Sequence, residues 1–331
     1  MKKGYFVLFC IVALIVVAGS LFAYQLRTTT GSSSSLKPTS IRLKWLDQAQ
    51  FAGYYWAKDS GNYKEAGLDV KLEPGGPDIS PLQMVVNGSN DFGVIGADQI
   101  LLAREKGIPV VAIAVIYQDT SVSFASLATS GIKTPKDLEG KKVAIAFGRD
   151  EEVVYKAMLN NAGVDRTKIK ELPLSPGLAQ LASDSVDSQM VYETNEPVLY
   201  QNEGYDINLI KARDYGVHFY SDTLFTTEKL IKEKPDLVAS VVKASLEGWS
   251  SSFVDTEKAA GIIALQNKNL DPKTQKKSLE LSKPLIFNNG NIGFSEMHRW
   301  EEMQRIMIEQ GVMKEKVDVS TVFTNRFIAK Q

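Results

Sequence analysis

The chain has 331 residues, 44% of them hydrophobic and 23% charged, which is ordinary for a globular protein and long enough for two domains. Its formal net charge is −1, but Lys2, Lys3, Arg27 and Lys37 are the only charges before residue 41, leaving 34 basic against 39 acidic residues beyond it. That balance offers no basic stripe for nucleic acid, Cys10 as the single cysteine leaves no disulfide or thiolate chemistry for the body of the chain, and two histidines do not suit a histidine-built metal site.

Met1–Lys3 is a basic start to an uncharged run over residues 4–24. The pattern fits a signal peptide, with small residues at Ala18-Gly19-Ser20 or Ala23 for cleavage. It fits equally an uncleaved membrane anchor, since about 20 apolar residues span a bilayer. The lysines ahead of the run favour an inside N-terminus and an exported body. Residues 25–40, with Thr28-Thr29-Thr30 and Ser32–Ser35, read as a Ser/Thr-rich flexible tether, and the folded body is expected from Ile41.

A short apolar strand is predicted at Ile41–Leu46, running into the aromatic helix start Phe51-Ala52-Gly53-Tyr54-Tyr55-Trp56. A second strand follows at Leu68–Leu72, then a rigid Pro74-Gly75-Gly76-Pro77 turn, a helix after Ser80 and a strand at Phe92–Ile95. The alternation continues with a helix over 97–106, a fully buried strand over 110–116 and an extended run over 121–127. Beyond it come strands at 143–147, 168–172, 188–191 and 207–211, with a helix after Asp150 that Gly163 ends. Alternating strands and helices are the sequence pattern of a parallel α/β sheet. After about residue 212 the pattern turns mainly helical, with Val238, Val241, Val242, Trp249 and Phe253 on one apolar face and Ser295 as the predicted cap of the last helix.

Several motifs resemble the periplasmic solute-binding proteins of the thiamine-pyrimidine-precursor family, whose relatives bind riboflavin, sulfonates and nitrate. They are Gln-Ala-Gln-Phe-Ala-Gly-Tyr-Tyr at 48–55, Gly-Asn-Tyr-Lys-Glu-Ala-Gly-Leu-Asp-Val at 61–70, Pro-Gly-Gly-Pro at 74–77 and Asn-Asp-Phe-Gly-Val at 90–94. Further stretches are Asp-Leu-Glu-Gly-Lys-Lys-Val-Ala at 137–144, Tyr-Glu-Thr-Asn-Glu-Pro at 192–197 and Asn-Ile-Gly-Phe from residue 291. The resemblance implies a two-lobed periplasmic-binding-protein fold of type 2, with two α/β lobes joined by a two-strand hinge. Residues 41–125 and 214–331 would form the first lobe and 126–213 the second, with crossovers near Ser121–Ser126 and Arg213–Ser221. It also implies an extracytoplasmic protein, secreted or held to the membrane through the N-terminal segment. Such a protein delivers a small molecule to an ABC permease and its ATPase. The family's synthase branch uses pyridoxal phosphate with a lysine and a histidine; this chain has Ile95 and Gln99 at those positions. No cofactor, metal or catalytic residue is therefore expected, and a small planar nitrogen heterocycle, a thiamine pyrimidine precursor or a riboflavin-like compound, is the expected ligand. A synthase-like enzyme and a ligand-sensing ectodomain are the alternatives.

In open α/β sheets ligands bind beyond the carboxyl ends of the strands, which nominates Trp45, Gln48, Gly96 and Asp98. Trp45 reads as a stacking face or as core, and Asp98 as a site residue or a plain helix cap. Of the three aromatics at 54–56, which cannot share one helix face, Tyr54 is assigned to the cleft. Gln118 follows a buried strand and reads as a site residue or a solvated loop. Phe147 precedes Gly148 at a strand-to-helix turn, where backbone can approach a ligand. Tyr192, Asn195 and Glu196 place an aromatic, an amide and a carboxylate together, a set that can read the donors and acceptors of a heterocycle's edge.

Overall fold

The computed structural model describes residues 35–175, 177–287 and 292–328. The expected signal or anchor over 1–24 and the tether up to residue 34 lie outside the described residues, as does Asn291. The described residues from Lys37 onward belong to one compact unit.

Two five-stranded sheets organise that unit. The first contains β1 (Lys37–Arg42), β2 (Leu68–Glu73), β3 (Phe92–Gly96), β4 (Val110–Val115) and, from much later in the chain, β10 (Asp222–Thr227), in the order β2-β1-β3-β10-β4. Helices α1 (Ala52–Asp59) and α2 (Asn62–Glu65) connect β1 to β2, α3 (Pro81–Val86) connects β2 to β3, and α4 (Ala97–Glu105) connects β3 to β4. The second sheet holds β5 (Val122–Leu127), β6 (Lys142–Ile145), β7 (Lys170–Pro173), β8 (Ser188–Tyr192) and β9 (Ile207–Lys211), in the order β7-β6-β8-β5-β9. Its helices are α5 (Asp150–Asn161), α6 (Ala179–Ala182) and α7 (Glu196–Asn202). After β10 come α8 (Glu228–Glu233), α9 (Pro235–Ser252), α10 (Thr256–Ala264), α11 (Pro272–Ile286) and α12 (Met297–Glu309).

The residues explain the elements. Every residue of β4, Val-Val-Ala-Ile-Ala-Val, is buried, as a strand covered on both faces requires. In β2, Leu68, Val70 and Leu72 point inward while Asp69 and Lys71 face water. Along α9 the apolar stripe Val238, Val241, Val242 and Trp249 is buried and packs on α1. The two helices meet at glycines: a Cβ on Gly53 would stand 2.1 Å from Trp249 Cγ, and one on Gly248 would stand 2.3 Å from the Gly53 carbonyl oxygen.

Several expectations need correction. The first strand begins at Lys37, inside the expected tether, because Lys37–Arg42 pairs in parallel with Leu68–Glu73 and buries Thr39 and Ile41. It also ends at Arg42, so Trp45 stands in an irregular segment rather than at a strand end. Both sheets are mixed rather than parallel: β10 runs antiparallel to β3 and β4, and β5 antiparallel to β8 and β9. Strand β10 falls in a stretch read as mainly helical. Val122–Ser126, placed in the first crossover, belong to β5, so the chain passes between the sheets at 116–121 and returns at 212–221. Ser295 does not cap α12; Glu296 occupies that position without a side-chain bond, while Ser295 is tied through its backbone to the Asn325 amide.

Candidate functional site

A cavity of about 510 Å³ opens between the carboxyl-end loops of the two sheets. The first sheet's side contributes the segment after β1, with Lys44, Trp45, Leu46, Gln48 and Gln50, and also Pro77. The second side contributes Phe147 and Arg149 from the turn before α5, Glu151 from its first turn, Pro173 at the end of β7 with Leu174 after it, and Tyr192, Asn195 and Glu196 around the start of α7. A volume of this size and a largely apolar wall with a few convergent polar groups suit a small molecule.

Backbone bonds hold the Lys44–Gln50 segment in its irregular path. Gly75 donates from its N–H to the Trp45 carbonyl at 2.8 Å, and the Ala49 N–H donates to Gln275 Oε1 of α11 at 2.7 Å. The approach at Gly75 leaves no room for a side chain, since a Cβ there would stand 2.4 Å from the Leu43 oxygen. The Tyr55 hydroxyl donates to the Asp47 carboxylate, and burial followed by that carboxylate raises the phenol's pKa far above its usual value.

Polar contacts join the two sides across the cavity. Lys44 Nζ donates to the Tyr192 hydroxyl at 2.6 Å, and that hydroxyl donates to Glu151 Oε1 at 2.9 Å. The same ammonium lies 3.7 Å from Glu151 and 3.6 Å from Asp222, the first residue of β10. Gln50 Nε2 donates to Asp222 at 2.6 Å and receives the Gln48 amide on its own oxygen at 2.6 Å. Arg149 places its guanidinium 5.0 Å from the Trp45 ring centroid and donates to the Pro77 carbonyl at 3.0 Å. Glu196 is the half-buried acceptor of the set, taking the Tyr192 N–H at 2.9 Å and the Asn195 amide at 3.1 Å. Desolvation raises its pKa, and the bonds it accepts only partly oppose that.

Six of the sequence-nominated residues therefore line one cavity: Trp45, Gln48, Phe147, Tyr192, Asn195 and Glu196. Four do not. Tyr54 is fully buried with its ring edge-on to Trp249, because the face of α1 that carries it turns toward α9. Gly96 pairs with Asp222 inside the first sheet and Asp98 is buried in the first turn of α4, so both stand behind the wall rather than in it. Gln118 is no solvated loop residue: it is buried, and its amide donates to the carbonyls of Val115 and Phe294 at the crossing between sheets. Lys44, Gln50, Arg149 and Glu151 went unnominated. Lys44 and Gln50 lie beside nominated positions, whereas Glu151, in the first turn of a helix, reads from the sequence as an acidic residue that favours the helix dipole.

Ile95 is buried in the core on β3, so the position that would carry a synthase's lysine presents no amine to the cavity. Among the described residues no group of three or more His, Cys, Asp or Glu could hold a metal ion. None of their helices is long and apolar enough to cross a membrane.

The sequence profile of the family described as "NMT1/THI5 like" matches residues 48–259. A riboflavin-binding protein of Chloroflexus aurantiacus is 25% identical over 309 residues, covering 89% of this chain and 87% of that protein. A formylaminopyrimidine-binding protein of Halalkalibacterium halodurans is 26% identical over 293 residues, covering 86% and 88%. Among solved structures, the periplasmic aliphatic sulphonate-binding protein of Escherichia coli superposes with a TM-score of 0.70 at 18% identity, over 86% of this chain and 91% of that one. This last likeness establishes the periplasmic-binding-protein fold of two mixed α/β sheets.

Proposed function

The chain belongs to the NMT1/THI5-like family, and from that premise we propose that it is the extracytoplasmic solute-binding component of an ABC importer, taking a small planar nitrogen heterocycle. The observation that carries the reading is the distribution of the cavity wall. Trp45 comes from one side, and Tyr192, Asn195 and Glu196 from the other. An aromatic face opposite a carboxylate and an amide can hold a flat ring and read its edge. The first sheet with its helices is one lobe and the second sheet the other, and they close about the crossings at 116–121 and 212–221 to exclude water from the ligand. Release is then to a permease driven by its ATPase, with the N-terminal segment keeping the body outside the cytoplasm. The role is binding rather than synthesis. With Ile95 at the lysine position, pyridoxal phosphate is expected to yield no pyrimidine product from the purified protein.

Calorimetric titration of the purified chain with riboflavin, formylaminopyrimidine and an alkanesulfonate tests the reading. Saturable binding of a ring compound is the expected result. Binding of the sulfonate with neither ring compound bound would overturn the ligand class while leaving the solute-binding role intact.

A further inference from the structure

We infer that the ligand carries an anionic oxygen group, a phosphate or carboxylate, beside its ring, and that Arg149 receives it and sets this specificity. The inference rests on the heterocycle reading above and starts from charge pairing within the cavity. Its wall holds two cations, Lys44 and Arg149, and two carboxyl groups, Glu151 and Glu196. Lys44 is already engaged, with the Tyr192 hydroxyl, Glu151 and Asp222 all within 3.7 Å. Arg149 is different: among the described residues it forms no ion pair, and its hydrogen bond goes to the Pro77 carbonyl at 3.0 Å.

A guanidinium carries five N–H donors in a planar fork, and one carbonyl leaves most of them for another acceptor. Arg149 is half-buried at the position preceding α5, next to the half-exposed Phe147. When the lobes close on a ligand, a cation in this wall loses water, and leaving it without a counter-charge is costly. A ligand oxyanion removes that cost and can bond the fork through two oxygens. The position is also suitable. The guanidinium lies 5.0 Å from the centroid of Trp45, the ring assigned to stacking, so an acidic substituent on a stacked ring is within its reach. Glu196 complements this on the same lobe, since its bonds come from neutral donors, the Tyr192 N–H and the Asn195 amide. The cavity thus presents a carboxyl for the donor edge of the ring and a cation for an acidic substituent.

Two ligand pairs differing only by a phosphate provide the test: riboflavin with riboflavin 5′-phosphate, and a hydroxymethyl-aminopyrimidine with its phosphate ester. Titrations of the full chain are expected to show the phosphorylated member of at least one pair binding about tenfold or more tightly, in line with a charge-assisted bond. Arg149→Gln is expected to abolish the preference and Arg149→Lys to restore part of it, with thermal melting confirming that both variants fold. Equal or weaker binding of both phosphorylated members overturns the inference and leaves the heterocycle reading standing. A preference that survives Arg149→Gln removes Arg149 from the role. If no member of either pair binds, the heterocycle reading fails and this inference falls with it.

Discussion

At Glu196 the carboxyl is half-buried, accepts hydrogen bonds from two neutral donors and faces the cavity. Its pKa is raised by desolvation, so the folded state favours the protonated form. The stability that this group contributes is full below its ordinary carboxylate range and is lost as pH rises through the raised value. Glu196→Gln should remove that loss: its melting temperature should hold up better than wild type as pH rises from about 4 to about 7, as calorimetric scans would register. The same variant should bind ligand about tenfold more weakly or worse, because an amide is a poorer acceptor for a donor edge. Asn195→Ala and Trp45→Ala should cost a comparable factor by titration while leaving the ligand-free melting point close to wild type. The sequence nominated Trp45 because an aromatic stood among carboxyl-end loops, and the 192–196 segment because an aromatic, an amide and an acid followed a strand. It misplaced Tyr54 because three successive aromatics on a helix do not say which faces α9. It passed over Lys44 and Glu151 because their partners are 148 and 41 residues away from them at Tyr192, a distance that local patterning does not bridge.

Among the elements, the α1–α9 contact carries the segment that leads into the cavity, and it depends on two absent side chains. Gly248→Ala would drive a methyl against the Gly53 carbonyl, 2.3 Å away, and backbone cannot yield there as a flexible side chain would. The expected cost is about 1–3 kcal/mol, seen as a melting temperature several degrees lower. Gly75→Ala acts differently. Its methyl would meet the Leu43 and Lys44 carbonyls and shift the Lys44–Gln50 segment, so titration should show a larger loss of affinity than melting shows of stability. Long elements with strong periodicity, such as α9, were legible in the sequence, and so was the continuous apolar run of β4. Strand β10 was not. Its six residues, Asp-Thr-Leu-Phe-Thr-Thr, include only two apolar ones, and its burial comes from lying between β3 and β4. Helix α7 was also missed, being seven residues with a proline in its first turn.

For the molecule as a whole, the contacts between sides decide how it closes. Lys44 and Asp222 belong to the first sheet's side, Tyr192 and Glu151 to the second, and their cluster spans the cavity. Lys44→Met would leave the acidic partners facing each other without the ammonium between them, which disfavours closure. Small-angle scattering of the ligand-free variant should give a larger radius of gyration than wild type, and unchanged scattering would show that the cluster does not hold the lobes together. The two-lobed plan was legible because strand–helix alternation restarts after residue 121 and the quoted motifs run in family order. The crossings were placed a few residues late at the first passage, because Val122–Leu127 is as apolar and extended as a connecting strand would be. Its membership of the second sheet is fixed only by pairing with β8 and β9.

The place of β10 also bears on how the protein is made. It fills the gap between β3 and β4, yet the ribosome delivers it about a hundred residues after β4. Until then the facing edges of β3 and β4 have no partner, and the first lobe waits, unfinished, while the whole second sheet is synthesised. Pairings this distant in sequence form slowly. For the extracytoplasmic protein proposed above, such a delay would keep the first lobe open while the chain is exported.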